Sequence, residues 1–179
     1  MEAIHKFGPS VVSFQLATGA WWWYIVGCYL APDNTSTIES AVAALKERPM
    51  GAKLLVAGDF NANLVEPEGD QRGEDISAAM ATEGLEYLSA HFLPRRRSWC
   101  RYERTWIMIR EGREVRSRTE YILGADRCLF GNVYARDPRH NSDHYMVMGC
   151  LHSAYLKEHA RYLGGRKKLP LLPPNKPMR

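Results

Sequence analysis

The stretch Lys53–Asn63, KLLVAGDFNAN, decides how this chain is read. A short continuous apolar run, Leu54 to Ala57, is typical of a central strand buried on both faces. It ends on Gly58-Asp59-Phe60-Asn61, a carboxylate and an amide two residues apart. In an extended segment such residues point to the same side. Both polar heads then face one spot at the carboxyl end of a buried strand, where open α/β sheets bind ligands. A carboxylate there can hold a hard cation or take a proton from water, and the amide can orient a phosphate. Taken alone, Asp59 is equally an Asx residue opening a turn.

The surrounding sequence supplies the layers. VVSFQLATGAWWWYIVGCYLAPD reads as two strands turning at Thr18-Gly19, rich in β-branched and aromatic residues. Ser36-Thr37-Ile38-Glu39 matches a capping box with Ser36 as N-cap. Ile38, Ala41, Val42 and Leu45 follow at helical spacing, so Ser36 to about Arg48 is an amphipathic helix. Asn63–Gly73 is a polar loop. Glu74–Phe92 holds one or two helices with Ile76, Met80, Leu85 and Leu88 inside. Pro94–Arg97 is a basic loop, and Arg104–Leu123 a hairpin turning at Glu111-Gly112. Cys128–Ala135 and HYMVMGCL (His144–Leu151) are the last strands. Strands with interposed helices imply an α/β layered architecture with a mixed sheet.

The chain has 179 residues and is 45% hydrophobic, enough for one domain with a sizeable core. No apolar run reaches the roughly 20 residues of a membrane span, and the N-terminus lacks a secretory apolar core. The four cysteines show no C-x-x-C spacing. Three lie in apolar strand-like runs and read as buried free thiols, so an intracellular protein is expected. From His152 onward seven basic residues stand against Glu158 alone, a charge of +6; with the whole chain at +4, residues 1–151 carry −2. Arg95–Arg118 holds nine arginines against three glutamates. Two basic zones on a slightly acidic body suggest a polyanion partner. They also suit a solvated tail and an ordinary charged hairpin.

Two further pieces carry chemistry. Asn141-Ser142-Asp143-His144 precedes the last strand, and Glu120 stands one residue before Tyr121-Ile122-Leu123 in the second strand of the expected hairpin. Each is weak alone. In this order, GDFN, a [D/E]-Y-I-L strand and SDH resemble the endonuclease/exonuclease/phosphatase superfamily. The group includes apurinic/apyrimidinic endonucleases and the endonuclease domains of LINE-type (non-LTR) retrotransposons. YIVGCYLAP is similar to the family strand that ends in Tyr and Pro. The Thr105-Trp106 strand and the Pro-rich exit arm resemble the retrotransposon branch, in which such an arm leads toward a reverse transcriptase.

The resemblance implies a DNase I-like layered sandwich of mixed β-sheets with flanking helices over residues 1–155. A basic, Pro-rich arm follows over 156–179. It implies a Mg²⁺- (or Mn²⁺-) dependent phosphodiester hydrolase that nicks DNA, in or near the nucleus, with no membrane partner. Asp59 would activate the attacking water and Asn61 would orient it. His144 would contact the scissile phosphate, Glu120 would hold the histidine, Tyr29 would approach the phosphate, and Asp143 would ligate the cation. Arg95, Arg96, Arg97 and Trp106 would lie near the nucleic-acid groove. In-line attack on a phosphodiester needs this mix of carboxylate, imidazolium and hard cation.

Two departures from the family pattern bear on activity. The family carries an N-terminal segment ahead of the strand matching Val11–Ala17, with an early asparagine and a metal-binding glutamate. Only ten residues precede Val11, and Glu2 has no strand-like context. A fold lacking its N-terminal strands is expected, with weakened metal binding. Self-association through an exposed sheet edge, helped by Trp21–Trp23, is expected too. Glu120 also stands where the family has an aspartate, and one extra methylene can misplace a carboxylate. The alternative is therefore a catalytically silent nucleic-acid-binding remnant. A small-molecule or lipid phosphatase of the same superfamily fits the arginine-rich stretch less well.

Overall fold

The computed structural model describes residues 4–18, 21–65, 70–88, 105–126, 129–136 and 143–151. The elements run β1 (His5–Lys6), β2 (Val11–Thr18), β3 (Trp21–Tyr29), α1 (Ser36–Lys46), β4 (Lys53–Asp59), α2 (Gln71–Thr82), β5 (Glu86–Tyr87), β6 (Trp106–Arg110), β7 (Arg113–Ser117), β8 (Glu120–Gly124), β9 (Phe130–Arg136) and β10 (Met146–Leu151). Six strands form one mixed sheet in the order β1-β2-β3-β4-β8-β5. The 53–59 run is β4, in the interior, parallel to β3 and antiparallel to β8.

Side-chain alternation divides the core into two layers. On one face Tyr24, Val26, Leu54, Val56, Tyr121 and Leu123 meet Ala41, Ala44 and Leu45 of α1 and Ile76 and Met80 of α2. On the other, Trp23, Ile25, Leu55, Ala57 and Ile122 meet Phe130 and Val133 of β9 and Val147 of β10. Trp23 packs edge-on against Phe130, ring centres 6.2 Å apart. Helices on one side and a two-stranded β9-β10 sheet on the other make the α/β sandwich. Gly58 is required where β4 meets β3: a Cβ there would lie 1.8 Å from the Cys28 carbonyl oxygen.

Several expectations change in detail. Ser36 is the first helical residue, not the cap. The cap position falls on Thr35, whose side chain makes no capping bond, and Asn34 Oδ1 just before it accepts the Ser36 N–H (3.0 Å) and hydroxyl (2.7 Å). The loop after Asn63 ends sooner than Gly73, because Asp70 caps α2 by accepting Gly73 N–H at 3.1 Å. Leu85 and Leu88 are buried as expected; Leu85 follows the end of α2, and Leu88 is helical again after β5. Gly84, at φ 70°, turns the chain so that Glu86 and Tyr87 pair with β8. The hairpin turns at Glu111-Gly112, both at positive φ as a two-residue I′ turn requires, but its second strand ends at Ser117. Glu120 belongs to a separate strand, β8, which joins the large sheet instead. The short strand β1 has no counterpart in the sequence reading, and it pairs with β2 only at Val12 and Ser13.

Of the thiols, Cys28 is buried and Cys150 is exposed, contrary to the expectation of a buried thiol; β10 pairs with β9 alone. Cys100, Cys128, the Arg95–Arg97 loop and the arm from His152 lie outside the described residues. Of the tryptophan run, Trp23 is buried and Trp22 half exposed. Among the described residues no helix is long and apolar enough to cross a membrane, which says nothing of a β-barrel.

Candidate active site

The register of three neighbouring strands builds the site. Tyr29 of β3 lies opposite Asp59 of β4, and Asp59 lies opposite Glu120 of β8. Cross-strand partners share a face. Tyr29 alternates with Trp23 and Ile25, Asp59 with Leu55 and Ala57, and Glu120 with Ile122. All three therefore sit at the sheet end on the β9-β10 side. His144, two residues before β10, arrives on that same side. Its Nδ1 meets Glu120 Oε1, and the other oxygen, Oε2, accepts the Thr119 hydroxyl at 3.0 Å. Ligand atoms of Asp59, Glu120 and His144 all lie within 4.8 Å of one another. The pairing that the extra methylene of Glu120 put at risk is made.

Asp59 both opens an Asx turn and faces this cluster. Its Oδ1 accepts the Asn61 N–H at 2.9 Å. The strand ends at Asp59 and Asn61 is left-handed at φ 47°, so an extended i, i+2 pair is not what brings the two together. The Asx turn joins only the Asn61 main chain to Asp59; the Asn61 side-chain amide donates to Leu30 O at 3.2 Å. Arg72 Nη2, at the start of α2, donates to the same carbonyl at 3.0 Å and to Ala31 O at 2.8 Å. Arg72 drew no notice in the sequence, since nothing in an isolated helical arginine announces a bond to a strand end.

Asp143 is exposed. Its Oδ2 accepts the Trp106 indole N–H at 3.2 Å, and its Oδ1 lies 3.9 Å from His144 Nε2. Trp106 and His144 also form an isolated antiparallel bridge. Trp106 is thus tied to the site itself. Tyr29 is about half exposed at the rim.

The electrostatics follow from this packing. Burial pushes the Asp59 carboxyl above its ordinary value, and the charge on Glu120 adds to the shift; the Asn61 N–H, the His144 charge and the Thr119 bond oppose it. Burial works against a charged His144. The Glu120 hydrogen bond and charge, with Asp143 and Asp59 behind them, outweigh that and hold the imidazole above its ordinary value. The Cys28 thiol is pushed up to about 12 by burial and by Asp59, so it stays protonated.

Three carboxylates face one imidazole, so even with His144 protonated the patch keeps excess negative charge. That donor set fits a hard divalent cation, which prefers oxygen ligands and retains several waters. Each of the three carboxylates already accepts a hydrogen bond, and Asp59, Glu120 and His144 are the groups whose ligand atoms lie close enough to share an ion.

The fold is similar to that of solved endonuclease/exonuclease/phosphatase proteins. Among solved structures, the endonuclease domain of TRAS1, a telomere-specific non-LTR retrotransposon, superposes with a TM-score of 0.59 at 23% identity, covering 79% of this chain and 63% of that one. The 3′ phosphatase NExo from Neisseria, bound to a product DNA hairpin, gives 0.59 at 16% identity over 80% and 65% of the two chains. An AP endonuclease from Archaeoglobus fulgidus gives 0.58 at 14% identity over 79% and 65%. At these identities the likeness establishes the fold. This chain spans a little under two thirds of each of those structures. No protein-family model and no curated protein sequence matches it.

Proposed function

We propose that this chain is a metal-dependent phosphodiester hydrolase that nicks DNA, of the non-LTR retrotransposon type, acting in the nucleus. The observation that carries the reading is the convergence of Asp59, Glu120 and His144 at one sheet end with Tyr29 in register. Asp59 serves as general base. Its raised basicity suits proton removal from water, and Asn61, fixed by the Asx turn, orients that water. The Glu120 contact raises the basicity of His144 and favours the imidazolium, whose other nitrogen would face a phosphate oxygen, where charge grows during in-line attack. Glu120 fixes the ring. Tyr29 contacts the phosphate from the rim. Asp143 and Asp59 would hold Mg²⁺ or Mn²⁺, which when bound neutralises charge on the phosphate oxygens. Trp106 contacts the DNA beside the site, and the basic residues Arg95, Arg96 and Arg97, which lie outside the described residues, would add charge for its backbone.

One observation favours a second reading. Asp143 already accepts the Trp106 N–H, so a cation must compete with that contact for the carboxylate. A chain that cannot hold the metal is a nucleic-acid-binding remnant, with salt-sensitive DNA binding and no cleavage. Relaxation of supercoiled plasmid in Mg²⁺, compared with EDTA and with His144→Ala, separates the two. Mg²⁺-dependent nicking lost in the variant supports the enzyme; binding without nicking supports the remnant.

A further inference from the structure

The sheet leaves the site end of β8 poorly supported. β5 pairs with β8 only at Leu123 and Gly124, so it does not reach Glu120. Thr105 stands there instead, just before β6, and it is 2% exposed. Its Oγ1 accepts two main-chain donors, Thr119 N–H at 2.9 Å and Glu120 N–H at 3.1 Å. Its carbonyl accepts Tyr145 N–H at 2.6 Å, one residue past His144. Its own N–H donates to Ser117 O at 2.9 Å. Its neighbour Trp106 bridges to His144 and donates to Asp143.

One residue thus grips both partners of the acid–histidine pair by their backbones. The hydroxyl holds the acid and the carbonyl holds the histidine segment. Thr119, pinned by the same hydroxyl, in turn donates its own hydroxyl to Glu120 Oε2. A buried hydroxyl taking two amides in place of a strand is costly to remove, because both N–H groups lose their partner.

We propose that Thr105 is a positioning residue for the reaction: it touches no reacting group, and it sets the Glu120–His144 pair through hydrogen bonds to Thr119, Glu120 and Tyr145. This rests on the proposed hydrolase, and it predicts that the pair, not the fold alone, depends on one hydroxyl.

Thr105→Val removes the hydroxyl at nearly constant shape, and Thr105→Ser restores it. By amide hydrogen exchange, Thr119 and Glu120 in Thr105→Val should exchange roughly tenfold faster while Val26 and Val56 keep their protection. The downfield Nδ1 proton signal of His144 should disappear in Thr105→Val and stay in Thr105→Ser. In nicking, Thr105→Val should lower kcat with KM unchanged, and Thr105→Val with Glu120→Gln should be no slower than Glu120→Gln alone. Wild-type exchange and an unchanged imidazole signal in folded Thr105→Val overturn the proposal, as does a kcat loss that multiplies with that of Glu120→Gln. Where Thr105→Val does not fold, Thr105→Ser decides: loss of either signal in that variant with the fold intact refutes the role of the hydroxyl. A wild-type chain that nicks nothing sinks the hydrolase, while the exchange and proton readings still decide the role of Thr105.

Discussion

Glu120→Asp installs the residue that similar proteins are expected to carry, and this structure predicts that it harms the site. The substitution withdraws the carboxylate by about 1.5 Å, one C–C bond. Here Oε1 reaches His144 Nδ1 and Oε2 takes the Thr119 hydroxyl at 3.0 Å, so both contacts open beyond hydrogen-bonding range. A hydrogen bond to a charged group contributes about 1.5–3 kcal/mol. The His144 side chain is 40% exposed, so solvent screening favours the lower figure. At about 1.4 kcal/mol per tenfold, the rate of nicking should fall roughly tenfold, and up to a hundredfold if the imidazole also turns. Single-turnover plasmid nicking at saturating Mg²⁺ measures this, with a thermal melt to show that the variant is folded. A Glu120→Asp rate equal to or above wild type would refute the claim that this site is built around the longer side chain.

Two other outcomes follow from the same geometry. Gly58→Ala places a Cβ 1.8 Å from the Cys28 carbonyl oxygen, so β3 and β4 must part; a loss of at least about 3 kcal/mol is expected, and a thermal melt matching wild type would contradict it. The raised His144 value makes stability pH-dependent. The contribution is fully present below the ordinary value of 6.5 and is lost as pH rises through the folded one. Urea unfolding across the neutral range should therefore show wild-type stability falling where Glu120→Gln falls less, and a flat wild-type profile would count against the ion pair.

Much of the site was legible because it sits in strands of unambiguous pattern. The apolar run before Asp59 identified β4, and GDFN, the Glu120 strand and SDH pointed to Asp59, Glu120 and His144, whose ligand atoms the fold brings within 4.8 Å of one another. Local pattern misled where a distant partner decides. Glu120 read as part of a hairpin because β-branched and charged residues run from Trp106 to Leu123 almost without a break; the change of sheet after Ser117 depends on pairing with β4, which no local signal records. Leu85 read as an inner helical position although Gly84 had already turned the chain out of α2 toward β5. Thr35 rather than Ser36 holds the cap position, because the Asn34 side-chain oxygen two residues before Ser36 takes the Ser36 N–H and leaves Ser36 in the first turn. Thr105 was noticed only as part of a strand, since a buried threonine has no sequence mark until its hydroxyl is seen between two chain segments.

The most direct test of the central claim is plasmid nicking by the purified chain in Mg²⁺, in EDTA, and with Asp59→Asn. The site as described predicts nicking in Mg²⁺ that disappears on chelation and falls by orders of magnitude in Asp59→Asn, with DNA binding retained. Metal-independent nicking, or equal rates in Asp59→Asn, would contradict the role assigned to the strand end; bound but intact plasmid would leave the fold standing as a DNA-binding remnant.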